Sequence, residues 1–273
     1  MAEEEEKDTD PEEPKETPIV EIKQDWADDL QICLTYLTRI PVPGGLIISD
    51  PSLAQSSRFF PVIGCIIGFV GAIVIITSNL LGLPSSVSAA LALICITMIT
   101  GGLHEKGIAD VVQAIGSDVE KPEKRLQIMQ AGRVNTLGVL TLIFFFFLKW
   151  SALASLSVSG GALAVFAMAV ISLGGLPVFM RYIPPAKKRG VSKLEEQPEF
   201  DRAAVSLLLS FAASLFAVGF WLTSGIVIVL SAITALTSWW FKRLFGGHTK
   251  EVLGALQQIS EICVILTIAA LGI

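Results

Sequence analysis

The feature that most constrains this chain is a series of long apolar runs that contain almost no charge. The runs lie at about 60–81, 87–103, 136–157, 161–180, 203–222, 225–241 and 252–272, the last being the weakest. A hydrocarbon core about 30 Å thick needs about 20 helical residues to cross it. Because backbone groups in lipid must satisfy their own hydrogen bonds, such runs fold as helices. The sequence therefore predicts an all-α, polytopic transmembrane helix bundle with six to seven spans.

Charge divides the chain into a tail and one membrane domain. Residues 1–25 carry eleven acids and three lysines, so this segment is predicted to be a disordered acidic tail. Residues 26–273 form the single transmembrane domain, which is mildly basic. Apolar residues recur at helical spacing over 26–40. That stretch is too short to span a bilayer, and it predicts an interfacial helix.

The basic residues indicate which ends of the spans share a side. Outside the tail, nearly all of them lie in three polar segments, 104–135, 181–202 and 242–251, while the hairpin turns at the other ends carry none. An even number of spans separates the segments, so the positive-inside rule places all three, and the N-terminus, in the cytoplasm. Lys149, near the far end of its span, is the exception and is expected to snorkel outwards.

The scarcity of ionisable groups inside spans three to six bears on function. Channels and transporters usually place such groups at mid-membrane. Polar chemistry concentrated on one face favours an enzyme whose polar substrates arrive from the cytoplasm.

Two glycine-rich runs at span boundaries carry the candidate chemistry. Residues 101–110 read GGLHEKGIAD and residues 246–251 read GGHTKE, and these runs contain both histidines of the chain. Glycine allows a backbone to approach an anionic ligand closely, and carboxylates beside phosphates are what Mg²⁺ prefers. The residues alone leave two other interpretations open, namely helix caps and an ordinary solvated loop.

These runs resemble the cobalamin 5′-phosphate synthase family, also called adenosylcobinamide-GDP ribazoletransferase. The similarity extends from about residue 28 to the end of the chain. Its blocks follow one another in the family's order, at 37–43, 57–64, 102–110, 125–129 with Arg133 and Thr136, 246–249 and 253–255.

The resemblance implies a membrane transferase of late vitamin B12 biosynthesis. Such an enzyme joins adenosylcobinamide-GDP and α-ribazole, or its 5′-phosphate, to give adenosylcobalamin, or its 5′-phosphate, and GMP, with Mg²⁺ as cofactor. The implied location is the inner membrane of a bacterium or archaeon. The implied partners are the two substrates and the lipid bilayer, with a homo-oligomer possible and no nucleic acid.

The resemblance also implies the roles of individual residues. Glu105 and Asp110 are the expected catalytic residues, and together with Glu251 they are the expected metal ligands. The expected substrate-binding residues are His104, Lys106, Arg133, Thr136, His248, Thr249 and Lys250.

The chain departs from the family's signature at several positions. Lys106 stands where an aspartate is usual, and Gln113-Ala114 and Lys250-Glu251 replace the usual Asp-Gly and Gly-Asp. Each lost carboxylate removes a candidate metal ligand or base. An alternative is therefore a non-catalytic paralogue that keeps the fold and binds a corrinoid, a nucleotide or a membrane partner. A transporter is the third alternative.

Overall fold

The computed structural model describes residues 25–42, 52–132, 135–186 and 196–272, and the expected all-α fold is confirmed for them. The predicted tail up to residue 24, Arg133 and most of the bases in 181–202 lie outside the described residues. The helices are α1 (Trp26–Leu37), α2 (Leu53–Ser56), α3 (Phe60–Leu80), α4 (Ser85–Thr100), α5 (Leu103–Ile115), α6 (Pro122–Gln130), α7 (Thr136–Ala154), α8 (Val158–Gly174), α9 (Leu176–Tyr182), α10 (Phe200–Phe245) and α11 (Lys250–Leu271).

Several of these helices are long and apolar enough to cross a membrane. Within the described residues five segments qualify, and α4 with α5 makes a sixth if that bent pair is one span. The chain is therefore a multi-pass membrane protein. The second predicted span ends early, at Thr100, because Gly101 and Gly102 both have positive φ, and α5 leaves at 86° to α4.

Helix α10 supplies two of the predicted spans. A straight helix of its 46 residues would be about 69 Å long, more than twice the hydrocarbon core. Gly219 breaks it with φ 78° and ψ 174°, a conformation almost confined to glycine. The Ser214 and Thr223 hydroxyls are 3.0 Å apart across this break, so the two halves run antiparallel. The chain reverses at Gly219 and not at 223–224, where the apolar runs had predicted the turn.

The bundle is centred on α8 and α11, whose residues are largely buried. Helix α3 packs tightly on α8, since a Cβ at Gly64 would lie 2.7 Å from Val170 Cα. Small residues let membrane helices approach this closely. The weakest apolar run of the sequence has thus become a central helix.

The polar residues of α11 explain why it can be both weakly apolar and central. Lys149 is only 5% exposed, and its Nζ donates to Gln258 Oε1 and Glu261 Oε2, each at 2.9 Å. Gln257 Nε2 donates to Glu261 Oε1 at 2.6 Å and to Ser172 Oγ at 3.2 Å. The prediction that Lys149 snorkels outwards is wrong, because a buried carboxylate on α11 pairs with it inside the bundle.

Candidate functional site

Helix α5 crosses the first turns of α11 at two glycines. A Cβ on Gly107 would lie 2.8 Å from Glu251 O and 2.9 Å from Gly254 Cα, and a Cβ on Gly254 would lie 3.3 Å from His104 Cα. Only residues without side chains allow two backbones to pack so closely. The crossing brings together the two glycine-rich runs of the sequence, 101–110 and 246–251.

A short backbone bridge joins the loop before α11 to the segment after α9. His248 N donates to Pro184 O and Ala186 N donates to His248 O, both at 2.9 Å. His248 is fully buried, with its Nδ1 2.6 Å from Ile183 O. Thr249, also buried, caps α11 through Val252 N at 3.4 Å. His248 and Thr249 therefore hold the loop in place, and their substrate-binding role stays a prediction.

Of the three candidate acids at this end of the bundle, Asp110 and Glu251 are buried and Glu105 is partly buried. Asp110 is 1% exposed and forms an ion pair with Lys106, one helical turn away. Glu105 Oε1 accepts a hydrogen bond from Thr97 Oγ1 at 3.2 Å. Asp110 Oδ1 and Glu105 Oε2 are buried oxygens with no hydrogen-bond partner in the described part of the chain. Glu251 lies in the first turn of α11, with its Oε1 3.9 Å from Lys250 Nζ.

These acids do not fit a magnesium site held by the protein alone. Across residues 25–42, 52–132, 135–186 and 196–272, no group of three or more His, Cys, Asp or Glu side chains is placed to hold a metal ion. Ammonium groups stand beside Asp110 and Glu251, where a cation would bind. The metal role of Glu105, Asp110 and Glu251 therefore stays a prediction, as does the need for Mg²⁺.

The cationic side of the site faces solvent. The Lys106 side chain is 57% exposed and the Lys250 side chain is 75% exposed. Lys106 Nζ lies 3.8 Å from the position of a Cβ on Gly132, so it adjoins the loop that leads to Arg133. Thr136, the first residue of α7, is exposed. An exposed ammonium group can bind a phosphate, and a neighbouring carboxylate oxygen can accept a proton.

Sequence reasoning missed a second ionic cluster. Asp29 is 1% exposed, accepts from Arg58 Nη2 and from Ser56 Oγ at 3.0 Å, and lies 3.7 Å from Arg202 Nη1. The cluster ties α1 to the start of α3 and to α10. The available signal was the spacing of Asp29 and Cys33, which places this acid on the apolar face of α1.

Comparison with known proteins identifies the family to which the chain belongs. The family profile described as cobalamin-5-phosphate synthase matches residues 29–269. The chain belongs to this family. A relative from Bradyrhizobium diazoefficiens, named adenosylcobinamide-GDP ribazoletransferase, is 34% identical over 89% of this chain and 93% of its own length.

Relatives of the same name occur in other organisms. The one from Azorhizobium caulinodans is 33% identical over 87% of this chain and 94% of its own length. The one from Shewanella amazonensis is 31% identical over 88% and 94%. No solved structure matches the chain. The two glycine-rich runs that resemble the family's are the ones that meet where α5 crosses α11.

Proposed function

We propose that this protein is an adenosylcobinamide-GDP ribazoletransferase that works at the cytoplasmic face of the inner membrane. The observation that carries the proposal is the crossing of α5 and α11 at Gly107 and Gly254, which gathers the two glycine-rich runs that resemble the family's at one polar end of the bundle. The relatives' printed names supply the two substrates.

The reaction is a phosphoryl transfer. A ribazole oxygen attacks the cobinamide-side phosphorus of the pyrophosphate and forms a new P–O bond. The bond from that phosphorus to the bridging oxygen breaks, and GMP leaves with that oxygen. When the attacking group is a hydroxyl, its proton passes to a base. In such reactions the protein mainly positions the substrates and neutralises charge on the phosphate oxygens.

The residues at the crossing suit these tasks. An ammonium group has three donors, so Lys106, which gives one to Asp110, keeps two for phosphate oxygens. Asp110 thereby acts as a positioning residue for Lys106. Glu105 Oε2, which has no partner in the described structure, is the acceptor for the hydroxyl proton.

GMP release tests the proposal. Purified protein with adenosylcobinamide-GDP and α-ribazole should form GMP, and Glu105→Gln should slow this by about 100-fold or more. Glu123→Gln, which changes an exposed acid on α6, is the matched control. Wild-type rates in Glu105→Gln would remove Glu105 from the chemistry. The assay is run with Mg²⁺ and with EDTA, and release that stops in EDTA would show that the reaction needs a divalent ion.

The ion pair of Lys106 with Asp110 also favours a second candidate, a non-catalytic relative that binds a nucleotide. A carboxylate held by an ammonium group is a poor base and a poor metal ligand. This candidate predicts GDP binding that is unaffected by EDTA, weakened by Lys106→Ala and unaltered by Lys124→Ala on α6. GDP binding without any GMP release would decide in its favour.

A further inference from the structure

A cavity inside the membrane-spanning part of the bundle has no place in the chemistry above. It has a volume of about 500 Å³ and lies between α8 with α9, both halves of α10, and α11. Its walls are mostly apolar, yet eight of its 21 lining residues are serine or threonine. Four of these hydroxyls already bond within the bundle, since Ser172 donates to Ala169 O, Ser210 donates to Ser206 O, and Ser214 and Thr223 bond to each other. The other four, which belong to Ser231, Thr234, Ser238 and Ser260, suit a ligand with polar groups of its own.

One wall of the cavity is continuous with the buried polar network. Ser172 lines the cavity and accepts a hydrogen bond from Gln257 Nε2, which also donates to Glu261. These hydrogen bonds hold the side chains of this wall in place, as a pre-formed binding site requires.

One end of the cavity lies next to the segment that contacts the loop before α11. Tyr182 lines this end and is 69% exposed. The next residue, Ile183, presents its carbonyl oxygen to His248 Nδ1 at 2.6 Å. His248 precedes Thr249, which caps α11, and Glu251 lies in the first turn of that helix. The cavity therefore ends beside the segment that is bridged to the loop before α11.

We infer that this cavity binds ribazole, a nucleoside with an apolar aromatic base and a hydroxyl-bearing sugar. The inference rests on the proposed function. The volume lies within the range of small-molecule sites, about 300–1,000 Å³. It suits one nucleoside, whereas a corrinoid is several times larger. Phe179 and Phe211 offer aromatic contacts for the base, and Ser231, Thr234 and Ser238 offer hydroxyls along one half of α10.

A substitution that fills the cavity with a larger side chain tests the inference. Thr234→Phe places a ring in the cavity, whereas Ala232→Phe adds the same ring at an exposed position of the same helix that does not line it. In detergent–phospholipid micelles, Thr234→Phe should weaken α-ribazole binding by tenfold or more and leave GDP binding unchanged. Ala232→Phe should change neither. Unchanged α-ribazole affinity in Thr234→Phe overturns the inference.

Two further measurements keep the test decisive. If Thr234→Phe fails to fold, Thr234→Val removes only the hydroxyl, and it should still weaken α-ribazole binding several-fold. A spin-labelled phospholipid that occupies the cavity and is not displaced by α-ribazole would assign the cavity to lipid and overturn the inference.

Turnover separates this inference from the proposed function. In an active protein, Thr234→Phe should raise the KM for α-ribazole and leave the KM for adenosylcobinamide-GDP unchanged. GMP release with both KM values unchanged would overturn the cavity assignment alone. A wild-type protein that binds α-ribazole and loses this binding in Thr234→Phe, but releases no GMP, would overturn the function alone.

Discussion

At the scale of single residues, the pair of Lys149 and Glu261 shows how this protein keeps charge inside its bundle. Both side chains are nearly inaccessible, and each makes further hydrogen bonds to Gln257 or Gln258. A buried ion left alone is costly, whereas a pair whose other donors and acceptors are satisfied is tolerated. The network thus lets α11 occupy the centre of the bundle despite its polar residues.

This arrangement predicts a non-additive pair of substitutions. Lys149→Met should destabilise the protein by about 3–5 kcal/mol, because it leaves the Glu261 carboxylate buried without its counter-charge. Lys149→Met with Glu261→Met should recover most of that loss. The free energy of unfolding in mixed micelles is measured for the single and the double variant, with Lys250→Met at an exposed position as the control. Equal losses in the single and double variants would contradict the account.

At the scale of secondary-structure elements, the crossing of α5 and α11 depends on backbone contact. Gly107→Ala would place a methyl group against the α11 backbone, which cannot move aside as a side chain can. We expect a cost of about 1–3 kcal/mol from this overpacking, and a larger loss of GMP release, because the candidate site is built across the crossing.

Another buried helical glycine supplies the control for that prediction. A Cβ on Gly161 of α8 would meet no atom closer than 3.8 Å. Gly161→Ala should therefore be neutral or stabilising. Thermal unfolding compares the two variants, and a Gly107→Ala protein as stable as Gly161→Ala would show that the helices are less tightly packed at their crossing.

The docking of α1 can be followed through Cys33. Its Sγ donates to Ser56 O at 3.2 Å, next to the ionic cluster of Asp29 and Arg58. Burial raises the pKa of the Cys33 thiol well above its usual range, and the negative charge of Asp29 acts in the same direction. Little thiolate therefore forms at neutral pH, and thiol reagents attack the thiolate.

We expect slow labelling of Cys33 in a protein in which it is the only cysteine. The rate should rise with pH only well above the range of an ordinary thiol. Asp29→Asn should accelerate labelling, because the arginines lose their counter-charge and α1 loosens, while Asp28→Asn on the same helix is the control. Fast labelling of the unchanged protein would mean that α1 is not docked.

At the scale of the whole molecule, the described parts of the three polar segments meet at one end of the bundle. Helix α5 packs on the start of α11, which joins the first segment to the third, and the bridge of Pro185 and His248 joins the second segment to the third. This agrees with the parity argument from the basic residues, which placed all three segments on one side. The side itself, predicted to be cytoplasmic, stays a prediction.

Single cysteines in a cysteine-free protein test that side. Asp118→Cys and Lys250→Cys, both exposed at the polar end, should resist an impermeant reagent in intact cells and react after permeabilisation. Ser85→Cys, exposed at the start of α4 at the opposite end, should react in intact cells. Labelling of residue 118 or 250 from outside would reverse the orientation.

The sequence alone determined the helical spans, the grouping of the polar segments and the family. A long apolar helix in lipid is dictated by the composition of its own residues, so 60–81 was predicted almost to the residue as α3. The signature runs could be recognised for the same reason, since each is contiguous in the chain.

Only the tertiary structure decided which polar groups meet. Lys149 pairs with an acid 112 positions away, Asp29 with an arginine 29 positions away, and Ser172 lies beside Gln257, 85 positions away. The reversal at Gly219 lies in an apolar run whose only local turn signal is that glycine. Such contacts depend on how the helices pack, and local periodicity carries no information about which faces of distant helices will touch.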